Sequence, residues 1–98
     1  MSGPLPREAR VDAIRAALEL ALRPQLLEVE DDSARHAGHA GARDGRGHFN
    51  VTVVSSAFEG LGPLARHRAV YAAVGTLMET DIHALSIVAR TPAEAGSN

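Results

Sequence analysis

The chain contains no cysteine among its 98 residues. It therefore cannot form a disulfide framework, it has no thiol nucleophile, and it cannot hold zinc or an iron–sulfur cluster through cysteines of its own. Any metal site in this chain must use histidine, aspartate or glutamate, or thiolates that a partner supplies. This absence excludes more chemistry than any other feature of the composition.

Long apolar runs and an excess of basic charge are also missing. No segment approaches the roughly 18 consecutive apolar residues of a membrane-spanning helix. The first ten residues, MSGPLPREAR, have no apolar core region, so we expect no secretory signal and a cytoplasmic location. The net charge of −2 gives no general attraction to nucleic acid. Nucleophile elbows and Walker loops are missing too, and we expect that the chain is not an enzyme.

What the chain does have is a segment rich in histidine and glycine, DDSARHAGHAGARDGRGHF, from Asp31 to Phe49. It carries three of the five histidines, His36, His39 and His48, and four of the nine glycines. Imidazoles on flexible backbone suit a metal site or a proton relay. A solvated loop tolerates them equally well, so the surrounding fold has to decide between these interpretations.

Hydrophobic periodicity predicts two helices and three strands around this segment. A first helix begins at Pro6 and is ended by Pro24, and a second has an apolar stripe from Leu64 to Met78. Strands are predicted at residues 25–33, 49–53 and 83–90.

The order α-β-β-α-β predicts an α/β (α+β) two-layer sandwich, in which both helices cover one face of a three-stranded mixed sheet. We expect one domain over residues 7–92, between a mobile lead (1–6) and a mobile tail (93–98).

This topology gathers histidines from distant parts of the sequence at one edge of the sheet. The first strand ends there and the other two strands begin there, which brings together His36, His39, His48 and His83. Each has an ordinary alternative as a solvated or locally hydrogen-bonded side chain. His67 lies on the predicted apolar stripe of the second helix, remote from that edge, and is interpreted as a structural histidine. A zinc site formed by the loop histidines and Asp32 is a further alternative.

Basic residues support a different hypothesis. Arg66 and Arg68 flank His67 and could contact phosphate, together with the loop arginines Arg35, Arg43 and Arg46. The commoner explanation is that Arg66 and Arg68 simply lie on the solvent-exposed side of a helix. Residues 38–41 spell GxxG, but they lie in a strand–strand loop rather than between two helices, so they give little support to nucleic-acid binding.

Three segments of the chain resemble the BolA family in order, over about residues 7–92: LEVEDDSARHAGHAGAR, HFNVTVVSSAFEGLGPLARHRAVYAAV and DIHALSIVARTP. The most specific pieces are F-x-G followed by RHR-x-V-Y, and the block I-H-A-L-S. The resemblance implies a KH-like (class II) sandwich without a working GxxG loop, which agrees with the predicted topology.

The resemblance also implies a protein partner rather than a substrate. BolA-like proteins form heterodimers with monothiol glutaredoxins and share a [2Fe–2S] cluster with the glutaredoxin and glutathione. In this chain the resemblance assigns the ligands to His83 and to a loop histidine, His36, with His39 as the alternative. It implies no cofactor in the isolated chain, which would be a monomer or a weak homodimer. Some bacterial relatives are described as DNA-binding transcriptional regulators of morphology and stress response, and this is the alternative function.

Overall fold

The computed structural model describes residues 4–33 and 45–96. Its elements follow in the order α1 (Arg7–Leu22), β1 (Leu26–Asp31), β2 (Gly47–Val54), a 3₁₀ turn (Ser56–Phe58), α2 (Pro63–Val74), α3 (Leu77–Thr80), β3 (Ile82–Arg90) and α4 (Pro92–Gly96). The predicted α-β-β-α-β order is confirmed, with the short helices α3 and α4 added to it. No helix in the described part is long and apolar enough to cross a membrane.

The sheet has the predicted topology. The strand order is β1-β2-β3, with β1 antiparallel and β3 parallel to β2. Val51 lies in the middle of the sheet, paired with Val29 on one side and Ile87 on the other. Alternate residues of β2 are buried under the helices, and the intervening ones lie on the open face, as a half-covered sheet requires.

The core lies between the helices and this covered face of the sheet. Its buried members come mainly from α1, β2 and α2, and include Ile14, Leu18, Phe49, Val51, Val53, Val70 and Val74. Each such side chain stabilises the fold by about 1.5–3 kcal/mol relative to an exposed position. Helix α1 ends at Arg23, which adopts the left-handed conformation (φ 46°) because Pro24 excludes the α conformation there.

The predicted apolar stripe of the second helix is confirmed in part. Val70 and Val74 are buried in the core, and Leu77 and Met78 pack against it, as do Ala69 and Ala73. Leu64 and Tyr71 belong to the same predicted stripe, but 64% and 40% of their surfaces are exposed. His67 is exposed as well, so it is not a buried histidine. Gly75 (φ 56°) then ends the helix where the sequence pattern predicted a continuous one.

The structure shows contacts at both ends of the described domain. The backbone N–H of Leu5, in the predicted lead, donates to Oδ1 of Asp81 at 2.7 Å. Residues 93–96 of the predicted tail belong to α4. Thr91 and Glu94 form a capping box there: the N–H of Thr91 donates to Oε1 of Glu94 at 2.9 Å, and the N–H of Glu94 donates to Oγ1 of Thr91 at 3.2 Å.

Candidate functional site

Three segments converge at the edge of the sheet where β1 ends and β2 and β3 begin. We call this edge the sheet head and define it as residues 31–33, 45–48 and 81–84. Backbone hydrogen bonds join the segments: the N–H of Asp32 donates to the carbonyl of His48 (2.8 Å), and the N–H of Gly47 donates to that of Asp81 (2.9 Å). The prediction that these strand ends meet at one edge is therefore confirmed.

A β-bulge at the sheet head determines how His83 is presented. Gly47 is paired with Ile82, but the next residue of β2, His48, is paired with Ala84. His83 is the extra residue, and such a residue interrupts the alternation of side chains along its strand. Consequently Ile82 is fully buried and His83 is exposed, although the sequence places His83 in phase with the core residues Leu85 and Ile87.

Gly47 allows the strands to approach closely at the bulge. A Cβ atom at this position would lie 2.7 Å from Oγ of Ser33 and 2.9 Å from two ring atoms of Phe49. The Ser33 hydroxyl is itself the acceptor for the N–H of His48 (3.1 Å). A side chain at position 47 would therefore push apart the groups that hold the start of β2.

His48 lies beside His83, as expected from the meeting of the strand ends at this edge. Its ring centroid lies 5.2 Å from that of His83, with the ring planes tilted by 49°. The alternative for His48 was a solvated residue on the polar face of the second strand, but its Nε2 atom is buried. The sequence therefore predicted the position of this ring and not its burial.

Arg46 also lies close to the His83 ring. Its Nη1 donates to the carbonyl oxygens of Met78 (3.1 Å) and Ile82 (3.5 Å). Its Nη2 is 3.5 Å from Nδ1 of His83. Since a guanidinium can only donate hydrogen bonds, the facing ring nitrogen is an acceptor wherever this contact is made.

A buried ion pair anchors the start of β3. Asp81 is 1% exposed, and its Oδ1 accepts from Nε of Arg10 at 3.0 Å. Burial raises the pKa of Asp81, but the hydrogen bonds from the Thr80 hydroxyl, the Leu5 N–H and Arg10 outweigh this effect and lower the pKa below its ordinary value. The carboxylate stays charged at neutral pH and fixes the backbone two residues before His83.

The other predicted site residues lie elsewhere. His36 and His39 fall outside the described residues, as do Arg35 and Arg43. The described residues on either side of that gap, Ser33 and Gly45, both belong to the sheet head.

Arg66 stands near the opposite end of β3, where Nη1 donates to the carbonyl of Ala89 (3.2 Å). About seven residues of strand separate Ala89 from Ile82, a distance of roughly 20 Å. His67 and Arg68 are exposed next to Arg66 and are thus remote from His83.

Arg66 is occupied by contacts within the domain. Nε donates to the carbonyl of Leu61 (2.8 Å), and the two terminal nitrogens form a bidentate pair with the Glu94 carboxylate at 2.6 and 3.0 Å. The hydrogen bonds from Arg66 and from the Thr91 N–H hold the pKa of Glu94 at about 2. Arg66 therefore fastens α2 to α4 and β3 and is not presented to a phosphate, in contrast to its predicted role.

Within residues 4–33 and 45–96, no three His, Asp or Glu side chains come together as a metal site. What the sheet head offers is one exposed imidazole, a second ring beside it and a fixed cation. A single exposed imidazole is a partial donor set that a metal or cluster bound by other ligands could use.

The matches to known proteins cover most of the chain. The BolA family model, described as "BolA-like protein", matches residues 18–94. The chain belongs to the BolA family. It is 50% identical over 86 residues to BolA-like protein 1 of Pongo abelii, a match that spans 88% of this chain. The solved BolA domain of SufE1 from Arabidopsis thaliana superimposes with a TM-score of 0.78 at 46% identity, covering 88% of this chain and 95% of that one.

Two further BolA relatives differ in what their names state. Protein BOLA1 of Arabidopsis thaliana, 45% identical over 93 residues, is named chloroplastic. The Escherichia coli relative, 38% identical over 76 residues, is named a DNA-binding transcriptional regulator; the match covers 78% of this chain and 70% of that protein. The chain spans 61% of the Pongo abelii protein and 58% of the Arabidopsis BOLA1.

Proposed function

We propose that this BolA-family chain is a non-enzymatic, cytoplasmic partner of a monothiol glutaredoxin and shares a [2Fe–2S] cluster with it, in iron–sulfur trafficking or in iron or redox sensing. The observation that carries the proposal is the presentation of His83. The bulge turns this imidazole out of the core. The segment that contains His36 and His39 is joined to the sheet head at both of its ends.

The donor chemistry of the chain fits one half of such a site. His83 would hold an iron together with His36, or with His39 as the alternative loop ligand. The chain has no cysteine, so a glutaredoxin cysteine and glutathione would supply the thiolates. When bound, the cluster would supply one-electron redox chemistry, and two imidazole ligands on one iron raise its reduction potential.

The other residues of the sheet head support His83 in this role. Asp81, bound by Arg10, Thr80 and Leu5, fixes the backbone immediately before it. Gly47 maintains the bulge by leaving room for Ser33 and Phe49. The chain's own task is thus to hold one imidazole in an exposed and defined position.

The test is co-expression with a monothiol glutaredoxin, followed by anaerobic purification and measurement of iron, sulfide and the visible spectrum. We expect a coloured heterodimer in which His83→Ala loses most of the iron and His36→Ala changes the spectrum. His67→Ala, an exposed histidine at the other end of the molecule, is the matched control and should behave as the wild type. An unaltered cluster in the His36→Ala/His83→Ala double variant would show that the ligand assignment is wrong.

The second candidate function is DNA binding by a transcriptional regulator, favoured by the name of the Escherichia coli relative. Arg68 is exposed on α2 and is available for phosphate contact. Arg66 is held by Glu94, and the net charge of −2 gives the chain no basic surplus. Duplex binding should then weaken steeply with salt and be reduced by Arg68→Gln. Binding that is undetectable or independent of salt would eliminate this candidate.

A further inference from the structure

We propose that the guanidinium of Arg66 and the backbone N–H of Thr91 form a phosphate-binding site, which the Glu94 carboxylate occupies until α4 unfolds. We call these two groups the Arg66 cradle. The site lies at the end of the sheet opposite to His83, so it does not depend on the proposed partnership with a glutaredoxin.

Three donors of the Arg66 cradle surround the Glu94 carboxylate. Oε1 of Glu94 accepts from Nη1 of Arg66 at 2.6 Å and from the N–H of Thr91 at 2.9 Å, and Oε2 accepts from Nη2 of Arg66 at 3.0 Å. A guanidinium binds two oxygens of a phosphate with the same paired geometry that it uses for a carboxylate. A phosphate has a further oxygen for the Thr91 N–H.

Contacts outside α4 hold these donors in place. Nε of Arg66 donates to the carbonyl of Leu61 at 2.8 Å, and Nη1 donates to that of Ala89 at 3.2 Å. Thr91 is 7% exposed, and the residue before it, Arg90, accepts from the N–H of Ser55 at 3.0 Å. The Arg66 cradle is therefore already formed when Glu94 leaves it.

Helix α4 is attached mainly by polar contacts. None of its five residues is buried, and residues 93–96 are exposed. Its capping box and the pair with Arg66 both lie where water can compete for them. Opening of α4 therefore requires no loss of buried core, and it costs far less than unfolding the domain. A phosphate that binds only the open form would shift the population towards it.

The charges around the Arg66 cradle favour an anion once Glu94 is displaced. Helix α2 contains no acidic residue, and the charged residues nearest in sequence to Arg66 and Thr91 are the exposed Arg68 and Arg90. Glu59, in the turn before α2, is exposed, and solvent screens its charge. The Arg66 side chain is only 15% exposed, so its charge needs an anionic partner in place of Glu94.

The first experiment titrates the isotope-labelled full-length chain with inorganic phosphate at constant ionic strength and neutral pH, and follows the backbone amide signals by NMR. We expect Glu94→Gln to bind phosphate about tenfold more tightly than the wild type, as for a site that is closed in about nine molecules of ten. Glu59→Gln is the matched control, because it removes the same charge from a nearby turn; it should bind as the wild type does.

Thr91→Val separates the masking of the site from a simple change of charge. It removes the hydroxyl that accepts from the N–H of Glu94 at 3.2 Å, and it keeps the Glu94 and Arg66 charges and the backbone N–H at position 91. Loss of such a cap weakens a helix by about fivefold. Thr91→Val should therefore bind phosphate several-fold more tightly than the wild type at unchanged net charge.

The wild type supplies a further measurement that needs no variant to fold. As phosphate binds, the amide signals of residues 92–96 should move towards those of an unfolded chain. The proposal is overturned if phosphate binds the wild type and leaves these signals unchanged. It is also overturned if Glu94→Gln binds phosphate no more tightly than Glu59→Gln, or if the gain survives in the Arg66→Gln/Glu94→Gln double variant.

A second titration with a short DNA duplex identifies the source of the phosphate. A gain in Glu94→Gln with both probes would assign the Arg66 cradle to nucleic-acid phosphates, under the control of α4. A gain with inorganic phosphate alone would assign it to a small phosphate-bearing molecule. If no variant binds the duplex, the DNA-binding candidate fails, and the titration with inorganic phosphate still decides whether Glu94 masks a phosphate site.

Discussion

At the scale of single residues, the exposure of His83 depends on a glycine in the neighbouring strand. Gly47 faces two residues of β3, and the extra one is the histidine. The absence of a side chain at position 47 lets Ser33 and the Phe49 ring close over the start of β2. Gly47, which has no reactive side chain, thus determines how the proposed ligand His83 is exposed.

Gly47→Ala should destabilise the domain by about 1–3 kcal/mol, because its Cβ atom would overlap Ser33 and Phe49 and force the start of β2 to shift. Urea unfolding followed by circular dichroism measures this change; the chain has no tryptophan to report it by fluorescence. The overlap lies beside His83, so under the proposed function the binding of the cluster should fall as well.

Gly96→Ala is the matched control for this substitution. A Cβ atom at position 96 would have nothing within 4 Å, and the free energy of unfolding should change by no more than about 0.5 kcal/mol. If Gly47→Ala were as mild as Gly96→Ala, the close packing at the bulge would not be a constraint on the sheet head.

At the scale of secondary-structure elements, the last helix is fastened by its own capping box and by one ion pair. Thr91 and Glu94 satisfy each other's backbone N–H groups, and Glu94 also holds Arg66 of α2. The capping-box pattern Thr-Pro-Ala-Glu is visible in the sequence, with proline at the first helical position. The sequence analysis did not predict this helix, because the residues of the tail are small and polar.

The pairing of Glu94 predicts an acid-sensitive attachment of α4. The pKa of Glu94 is about 2 in the folded protein, against an ordinary value of 4.5. A lowered carboxyl pKa contributes stability that is complete above about pH 4.5 and is lost as the pH falls towards 2. The free energy of unfolding of the wild type should therefore exceed that of Glu94→Gln near neutral pH, and the difference should disappear over this range.

Urea unfolding at a series of pH values measures this difference. The Asp81 pair also loses stability in acid, but it is present in both proteins and cancels. Glu59→Gln, which removes an exposed carboxylate from a turn, is the control and should give a curve parallel to the wild type. A difference between wild type and Glu94→Gln that stays constant down to pH 2 would contradict the role given to Glu94.

The elements that the sequence predicted are those with strong local signals. Alternating apolar residues in β2, the proline at each end of α1 and the β-α-β order were enough for the topology and for the meeting of the strand ends. The bulge at His83 was not predictable, because it depends on the pairing of Gly47 with Ile82 across the sheet. The contacts of Arg66 were not predictable either, because Ala89 and Glu94 are more than twenty positions away in the sequence.

At the scale of the whole molecule, the two ends of the sheet have different roles. The sheet head presents the imidazole of His83 to solvent. At the opposite end, the Arg66–Glu94 pair and the capping box of α4 use their polar groups within the domain. The proposed partner, which would use the His83 imidazole, is therefore expected to approach from the sheet head.

This polarity predicts the footprint of a partner. In the proposed heterodimer with a cluster-loaded glutaredoxin, amide hydrogen exchange should slow at residues 45–48 and 81–84 and stay unchanged at 63–68 and 92–96. His83→Ala should weaken the footprint without moving it. Protection centred on residues 63–68 would instead indicate that the α2 surface is the docking site, as the DNA-binding alternative requires.

The ion pair between Arg10 and Asp81 has a consequence for the order in which the molecule assembles. Its two partners are 71 positions apart in the chain, and closing so long a span costs entropy that local contacts do not repay. We expect the β1–β2 hairpin and both long helices to form first and the start of β3 to be locked afterwards. During synthesis and refolding, most of the fold would then form before the start of β3 fixes the position of His83. A metal that reached the chain at that stage would meet a site in which His83 is not yet held in place.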